Sequence, residues 1–225
     1  MPEGRTPKSS RSDMAKRIFD LLVGGLLVLV LSPVMGLVAL AVLLDLGPPV
    51  LLRQSRPGLR GKPFVLFKFR TMRDERDADG RLLPDSRRVT RLGRFLRRMS
   101  LDELPGLANV IRGEMSLVGP RPLMMEYLGR YSARQMRRHD VKPGITGWTQ
   151  LNGRNSLTWE QKFEYDLWYV DHGSLLLDVV ILVRTVWKVL TGKGVTPPGR
   201  EDVPTFLGNG GSEDSRRHEE GRVDG

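Results

Sequence analysis

Cysteine is absent from these 225 residues. Disulfides, thiolate metal sites and thiol catalysis are thereby excluded. Histidine is scarce, with only His139, His172 and His218. The last lies in a charged, Gly-rich stretch, so a histidine-based metal site is disfavoured as well. Acidic residues are outnumbered: 36 Lys and Arg against 26 Asp and Glu leave a net charge of +10. That balance suits an anionic partner, whether nucleic acid, anionic lipid or a phosphorylated small molecule. No internal repeat is visible. A cleaved signal peptide is excluded too, because the N-terminal apolar stretch is too long and no small-x-small site follows it.

That apolar stretch is the strongest positive feature. From Leu21 to Leu44 the only polar side chain is Ser32, followed by Pro33. As a helix it would rise about 36 Å, against a hydrocarbon core of about 30 Å. It leaves no polar face, which argues against a soluble helix. Arg11, Lys16 and Arg17 precede it; Arg53, Arg56, Arg60, Lys62, Lys68 and Arg70 follow it. Positive flanks mark the cytoplasmic side, and here both ends carry them. Pro33 lacks a backbone donor and clashes with the preceding turn, so the helix must bend or break there. The Ser32 hydroxyl can satisfy a freed backbone group. Two topologies fit: a re-entrant hairpin turning at Ser32-Pro33, or a span with a proline kink.

The chain divides into a basic arm (1–13), this membrane element (14–49), a catalytic-size domain (50–195) and a tail (196–225) rich in Pro, Gly and charge, expected to be disordered. Alternation in Phe64 to Arg70 predicts a strand with Phe67 and Phe69 towards a core and Lys68 and Arg70 on the other face. A helix is expected from about Val89 to Met99, with Leu92, Phe95, Leu96 and Met99 on its apolar face. A second is expected over Leu104 to Arg112. Residues 123–138 and 158–170 look helical. Residues 174–191 read as an apolar helix at the membrane interface or packed on the hairpin. The fold class is α+β, mostly helical, with a small sheet.

Chemistry centres on Ser100-Leu101-Asp102-Glu103-Leu104-Pro105. Ser100 and Glu103 have the spacing of a capping box, and acids suit a helix N-terminus. Pro105 fits that poorly at the fifth helical position. The alternative is a pair of ionised carboxylates serving as nucleophile or metal ligands. Six Arg between Arg87 and Arg98 form either a solvated or lipid-facing surface or a phosphate site. Arg121, between Pro120 and Pro122, has a restricted backbone and hence a pre-positioned guanidinium. The Gly-rich segment from Lys142 to Asn155, with Gln150 and Arg154, suits close approach to a nucleotide or a turn-rich connection. Asp166 and Asp171, beside Trp168 and Tyr169, read as surface charge next to core aromatics.

In order along the chain, several short motifs resemble one family. They are Lys16-Arg17-Ile18-Phe19-Asp20, Ser32-Pro33, Arg53-Gln54-Ser55-Arg56-Pro57-Gly58, Lys68-Phe69-Arg70-Thr71-Met72, the Ser100 to Pro105 segment, Met115 to Pro122, Lys142 to Gly147, and Asn152-Gly153-Arg154. The chain resembles the bacterial sugar transferases, or monotopic phosphoglycosyl transferases, in their small form. The resemblance implies transfer of a sugar-1-phosphate from a UDP-sugar to polyprenyl (undecaprenyl) phosphate, with Mg²⁺ and release of UMP. It assigns Asp102 as nucleophile and Glu103 as its partner, both near the metal. It makes Lys68, Arg70, Arg97, Arg121, Arg154 and Gln150 the phosphate and nucleotide contacts. It favours the re-entrant hairpin at Ser32-Pro33 and the cytoplasmic face of the bacterial inner membrane. Expected partners are the UDP-sugar, the polyprenyl phosphate and the bilayer, not nucleic acid, with a homodimer left open. Two competitors stand beside it: a non-enzymatic basic membrane-surface protein that binds anionic lipid or nucleic acid, and a direct glycosyl transferase releasing UDP. Gly106-Leu107 and the second proline at Pro49 depart from the family pattern.

Overall fold

Pro33 does not end the first helix. The computed structural model describes residues 10–153, 157–191 and 205–208, and within it α1 runs unbroken over Ser10–Leu46. The proline removes the amide that would have bonded Leu29 O four residues back. The Ser32 hydroxyl donates to that same carbonyl at 2.8 Å. The break expected at Ser32-Pro33 is therefore absorbed within one helix. Its stretch Asp13–Leu46 is long and apolar enough to cross a membrane.

Both ends of α1 are fastened to one body. Near the start, Lys16 Nζ bonds Asp178 Oδ2 at 2.5 Å and Val118 O at 3.2 Å. Arg17 donates to Val110 O and Ile111 O, and buried Asp20 accepts from Ser116 Oγ and Leu117 N. Near the finish, Asp45 accepts from Thr90 Oγ1 at 2.6 Å, and Arg70 donates to Leu46 O, Gly47 O and Pro48 O. Between these anchors Leu22, Leu26, Leu29, Val30, Leu37, Leu40 and Leu44 present an exposed apolar face.

The body starts with a hairpin, β1 (Leu51–Pro57) antiparallel to β2 (Pro63–Phe69). On β2, Phe64 and Leu66 are buried in the main core, and Phe69, on the opposite face, joins a second core with Leu96, Val38 and Val42. Phe67 is only half-buried, lying between the guanidiniums of Arg53 and Arg112. One turn, α2 (Asp85–Arg88), precedes α3 (Arg91–Arg98). Thr90 caps α3 by accepting from Gly93 N at 2.9 Å. Leu96 of α3 is buried as expected, but Phe95 is 55% exposed, because α3 is too short to bury more than one stripe.

A 3₁₀ turn over Leu101–Gly106 leads into α4 (Leu107–Arg112). Fully buried Asn109 ties α4 to β2, accepting from Phe67 N and donating to Val65 O. β3 (Ser116–Val118) and β4 (Gly144–Thr146) pair in parallel. The single helix expected over 123–138 is instead a 3₁₀ turn, Met125–Arg130, then α5 (Ala133–Met136), then a second 3₁₀ turn, Arg137–Asp140. Ser132 restarts the chain there through a capping box with Gln135. α6 (Trp148–Asn152), α7 (Trp159–His172) and α8 (Leu175–Thr191) complete the body. Leu176, Val179, Val183, Val186 and Trp187 of α8 are exposed, while Ile181 and Asp178 are buried. Residues 205–208 correct the disordered-tail expectation locally: Phe206 is 3% exposed, packed among Tyr127, Tyr131, Trp159 and Phe163. The rest of 196–225 lies outside the described residues.

Candidate active site

Ser100 is no helix cap. Its φ of +55° is left-handed, and its side chain makes no capping bond. That conformation is costly for a residue other than glycine. It swings the chain off α3 and into the tight turn that carries Asp102 and Glu103. Pro105 is accommodated in this turn, just ahead of α4, where a missing amide matters less.

The two acids differ sharply. Glu103 accepts from Lys68 Nζ at 2.9 Å and from Arg121 Nη2 at 2.6 Å and Nη1 at 3.3 Å. Burial works to raise its pKa, but the Arg121 and Lys68 cations outweigh it and hold the carboxyl well below the usual range. Asp102 makes no hydrogen bond among the described residues. Burial and the neighbouring Glu103 charge push it up to about 6, against the pull of Lys68, Arg121 and Arg97. The helix-end effect expected to keep it ionised is thus outweighed by desolvation. At neutral pH it is still mostly a carboxylate, with its oxygens uncommitted.

A cavity of about 310 Å³ opens over this turn. Lys68, Glu103, Arg121, Arg56 and Asp85 give it a polar side; Leu66, Met115, Leu123, Tyr127, Ile145 and Trp159 are among its other walls. Sequence reasoning did not single out Arg56. Burial and nearby Arg121 lower its pKa, and its Nε is buried without a partner among the described residues. Its sequence signals were a place in the basic flank of the apolar stretch and membership of the Arg53 to Gly58 segment.

Of the expected phosphate contacts, Lys68 and Arg121 converge on Glu103 in this cavity. Arg97 stays close enough to act on the Asp102 charge while its Nε donates to Thr71 at 3.0 Å. Arg70 does not join them. Its Nη1 and Nη2 donate to the carbonyl of Leu46, which ends α1, and to those of Gly47 and Pro48 beyond it, while its Nε is buried without a partner among the described residues. Gln150 is buried off the cavity wall, with both amide atoms unpaired among the described residues. Arg154 lies outside them. Asp166, read as surface charge, is 4% exposed and paired with Arg138 at 2.7 Å.

What the described residues offer a magnesium ion is one open carboxylate, that of Asp102. Mg²⁺ takes one or two carboxylates and completes its shell with waters and phosphate oxygens. Asp102 has both oxygens uncommitted, and no cluster of three acidic, His or Cys groups exists among the described residues to form a fuller cage.

A helix apolar enough to cross a membrane and a cavity rimmed by Lys68, Arg56 and Arg121 together suit the class of membrane-associated proteins that handle anionic molecules. The chain belongs to the bacterial sugar transferase family, whose profile matches residues 11–192. It is 53% identical to the uncharacterized sugar transferase EpsL of Bacillus subtilis over 195 residues, 87% of this chain and 96% of that protein. It is 42% identical to the UDP-glucose:undecaprenyl-phosphate glucose-1-phosphate transferase of Escherichia coli, covering 84% of this chain and 43% of that protein. A protein of the same name from Caulobacter vibrioides is 40% identical, over 84% of this chain and 74% of its own length. The chain thus spans nearly all of one relative and less than half of another.

Proposed function

We propose that this protein transfers a sugar-1-phosphate from a UDP-sugar to polyprenyl phosphate at the cytoplasmic face of the bacterial inner membrane, releasing UMP. The observation that carries the reading is the division of labour between adjacent acids: Glu103 is held by Lys68 and Arg121, and Asp102 has no hydrogen-bond partner among the described residues. The relatives' names, which pair UDP-glucose with undecaprenyl phosphate, support the same substrates.

In this reading the diphosphate lies along Lys68, Arg121 and Arg56. Their cations offset the charge that would otherwise repel a carboxylate nucleophile. Asp102 attacks the sugar-linked phosphorus. The bond to the UMP phosphate oxygen breaks, and UMP leaves with that electron pair. An oxygen of the polyprenyl phosphate then attacks the same phosphorus, expelling Asp102 and forming the diphosphate-linked sugar. Asp102, with phosphate oxygens, would hold Mg²⁺, which would supply further charge neutralisation, while Glu103, expected as a second ligand, is taken up by Lys68 and Arg121. Both ends of the unbroken α1 are bonded to the same polar body, which supports a membrane element held on one face of the bilayer over one that spans it.

The test is nucleotide release from a panel of UDP-sugars, with undecaprenyl phosphate and Mg²⁺ present and omitted in turn. Lipid-dependent UMP release supports the reading; UDP release points to direct glycosyl transfer. Asp102→Asn should lose turnover by several orders of magnitude while remaining membrane-bound. Full turnover in that variant ends the nucleophile assignment.

A further inference from the structure

Behind the cavity lies a buried charge pair that never reaches it. Arg138, in the turn Arg137–Asp140, is 2% exposed. Its Nε and Nη2 grip Asp166 Oδ2 of α7 at 3.0 and 2.7 Å. Its Nη1 reaches the Tyr131 hydroxyl at 3.4 Å. Thr149 of α6 donates to the other Asp166 oxygen at 2.6 Å. One Arg138 contact leaves this cluster: Nη2 also donates to the backbone carbonyl of Arg121 at 2.7 Å.

Stability alone does not account for such a pair. A buried ion pair is usually no better than an apolar pair of similar volume. What it adds is direction. The guanidinium is a rigid fork, so seating one edge on Asp166 fixes where the remaining N–H points. It points at the one peptide group, between Pro120 and Pro122, whose side chain runs the other way to Glu103. The strand-end backbone beside it is pinned as well: Gly144 N donates to Pro120 O at 3.0 Å, and Gly119 N to Thr146 O at 2.9 Å. Arg121 is thus held by its carbonyl on one side and by Glu103 on the other.

We propose that Arg138, seated on Asp166 and Thr149, is a positioning residue that aims the Arg121 guanidinium into the cavity. This rests on reading Arg121 as a phosphate clamp. A misplacement of about 1 Å in such a clamp can lower turnover about 10²-fold.

The experiment is a cycle on the full chain in lipid, reading UMP release from the UDP-sugar it turns over fastest, together with thermal unfolding. The variants are Arg121→Ala, the double variant Arg138→Met with Asp166→Leu, and all three combined. The apolar pair should keep the fold, so its unfolding temperature should stay near that of the unaltered protein. The expected result is a roughly 100-fold fall in kcat for the double variant, a smaller change in KM, and a triple variant no worse than Arg121→Ala alone. A merely structural role would make the losses multiply, and that outcome overturns the proposal. So does a folded double variant with full activity. Should the double variant not fold, Arg138→Lys enters the same cycle, since its point charge cannot serve both Asp166 and the Arg121 carbonyl. If Arg121→Ala itself is fully active, the clamp reading falls, and the positioning role falls with it.

Discussion

At the scale of single residues, environment decides what chemical type leaves open. Asp102 and Glu103 are adjacent acids, yet Glu103 is clamped by two cations and Asp102 has no hydrogen-bond partner among the described residues. His139 is a second case. Burial, then the Arg138 charge, pushes it down to about 4, and Arg121 lies across the same small cleft. In the unfolded chain it would take a proton near pH 6.5. The unfolded state therefore binds more protons between those values, and stability falls as pH drops through that window. Chemical denaturation should show a loss of about 2 kcal/mol between pH 7 and pH 5 from this group. The loss should be absent in His139→Gln. Gly93 makes a sterically sharper case: a Cβ there would lie 2.0 Å from Thr71 O. Backbone cannot yield that much without moving β2 against α3. Gly93→Ala should lower the unfolding temperature and weaken activity together, because Arg97 and Lys68 ride on those two elements.

At the scale of elements, the legible features were those with a strong local period. α3, α8 and the strand around Phe64 to Phe69 follow from the spacing of apolar residues, and α7 falls where a helix was expected over 158–170, its start fixed in the structure by a capping box of Thr158 with Gln161. The segment 123–138 misled, since its basic and apolar residues also suit short turns that wrap an aromatic cluster. Phe206 was invisible for a related reason. A lone aromatic in a Gly- and Pro-rich tail has no period, and only the facing rings of Tyr127, Tyr131, Trp159 and Phe163 give it a seat. The segment is also stitched by Arg130 Nη1 to Phe206 O at 2.6 Å. Phe206→Ala should cost about 3 kcal/mol, the lower end for burying and then deleting such a ring. Unfolding of the purified protein checks this. Because Tyr127 and Trp159 line the cavity, KM for the UDP-sugar should rise as well.

At the scale of the whole molecule, the decisive fact is that a helix able to cross a bilayer has both ends tied to one body. Without native cysteine, single substitutions report topology cleanly. Asp13→Cys and Asp79→Cys should react with a membrane-impermeant thiol reagent from the same side of the bilayer. Opposite-side labelling would mean α1 spans, and the site would lose its common surface with the lipid substrate.

The sequence by itself determined the long apolar stretch, the Ser32 and Pro33 pairing, the adjacent acids and the proline-bounded backbone of Arg121, because each is a local matter of period, side-chain type or backbone restriction. Tertiary structure alone decided that Arg70 bonds the carbonyls at the end of α1, that Arg56 enters the cavity, and that Asp166 is buried against Arg138. Those outcomes depend on which groups, distant in the chain, share a low-dielectric space. Burial and pairing there set both charge state and role, and no local pattern records them.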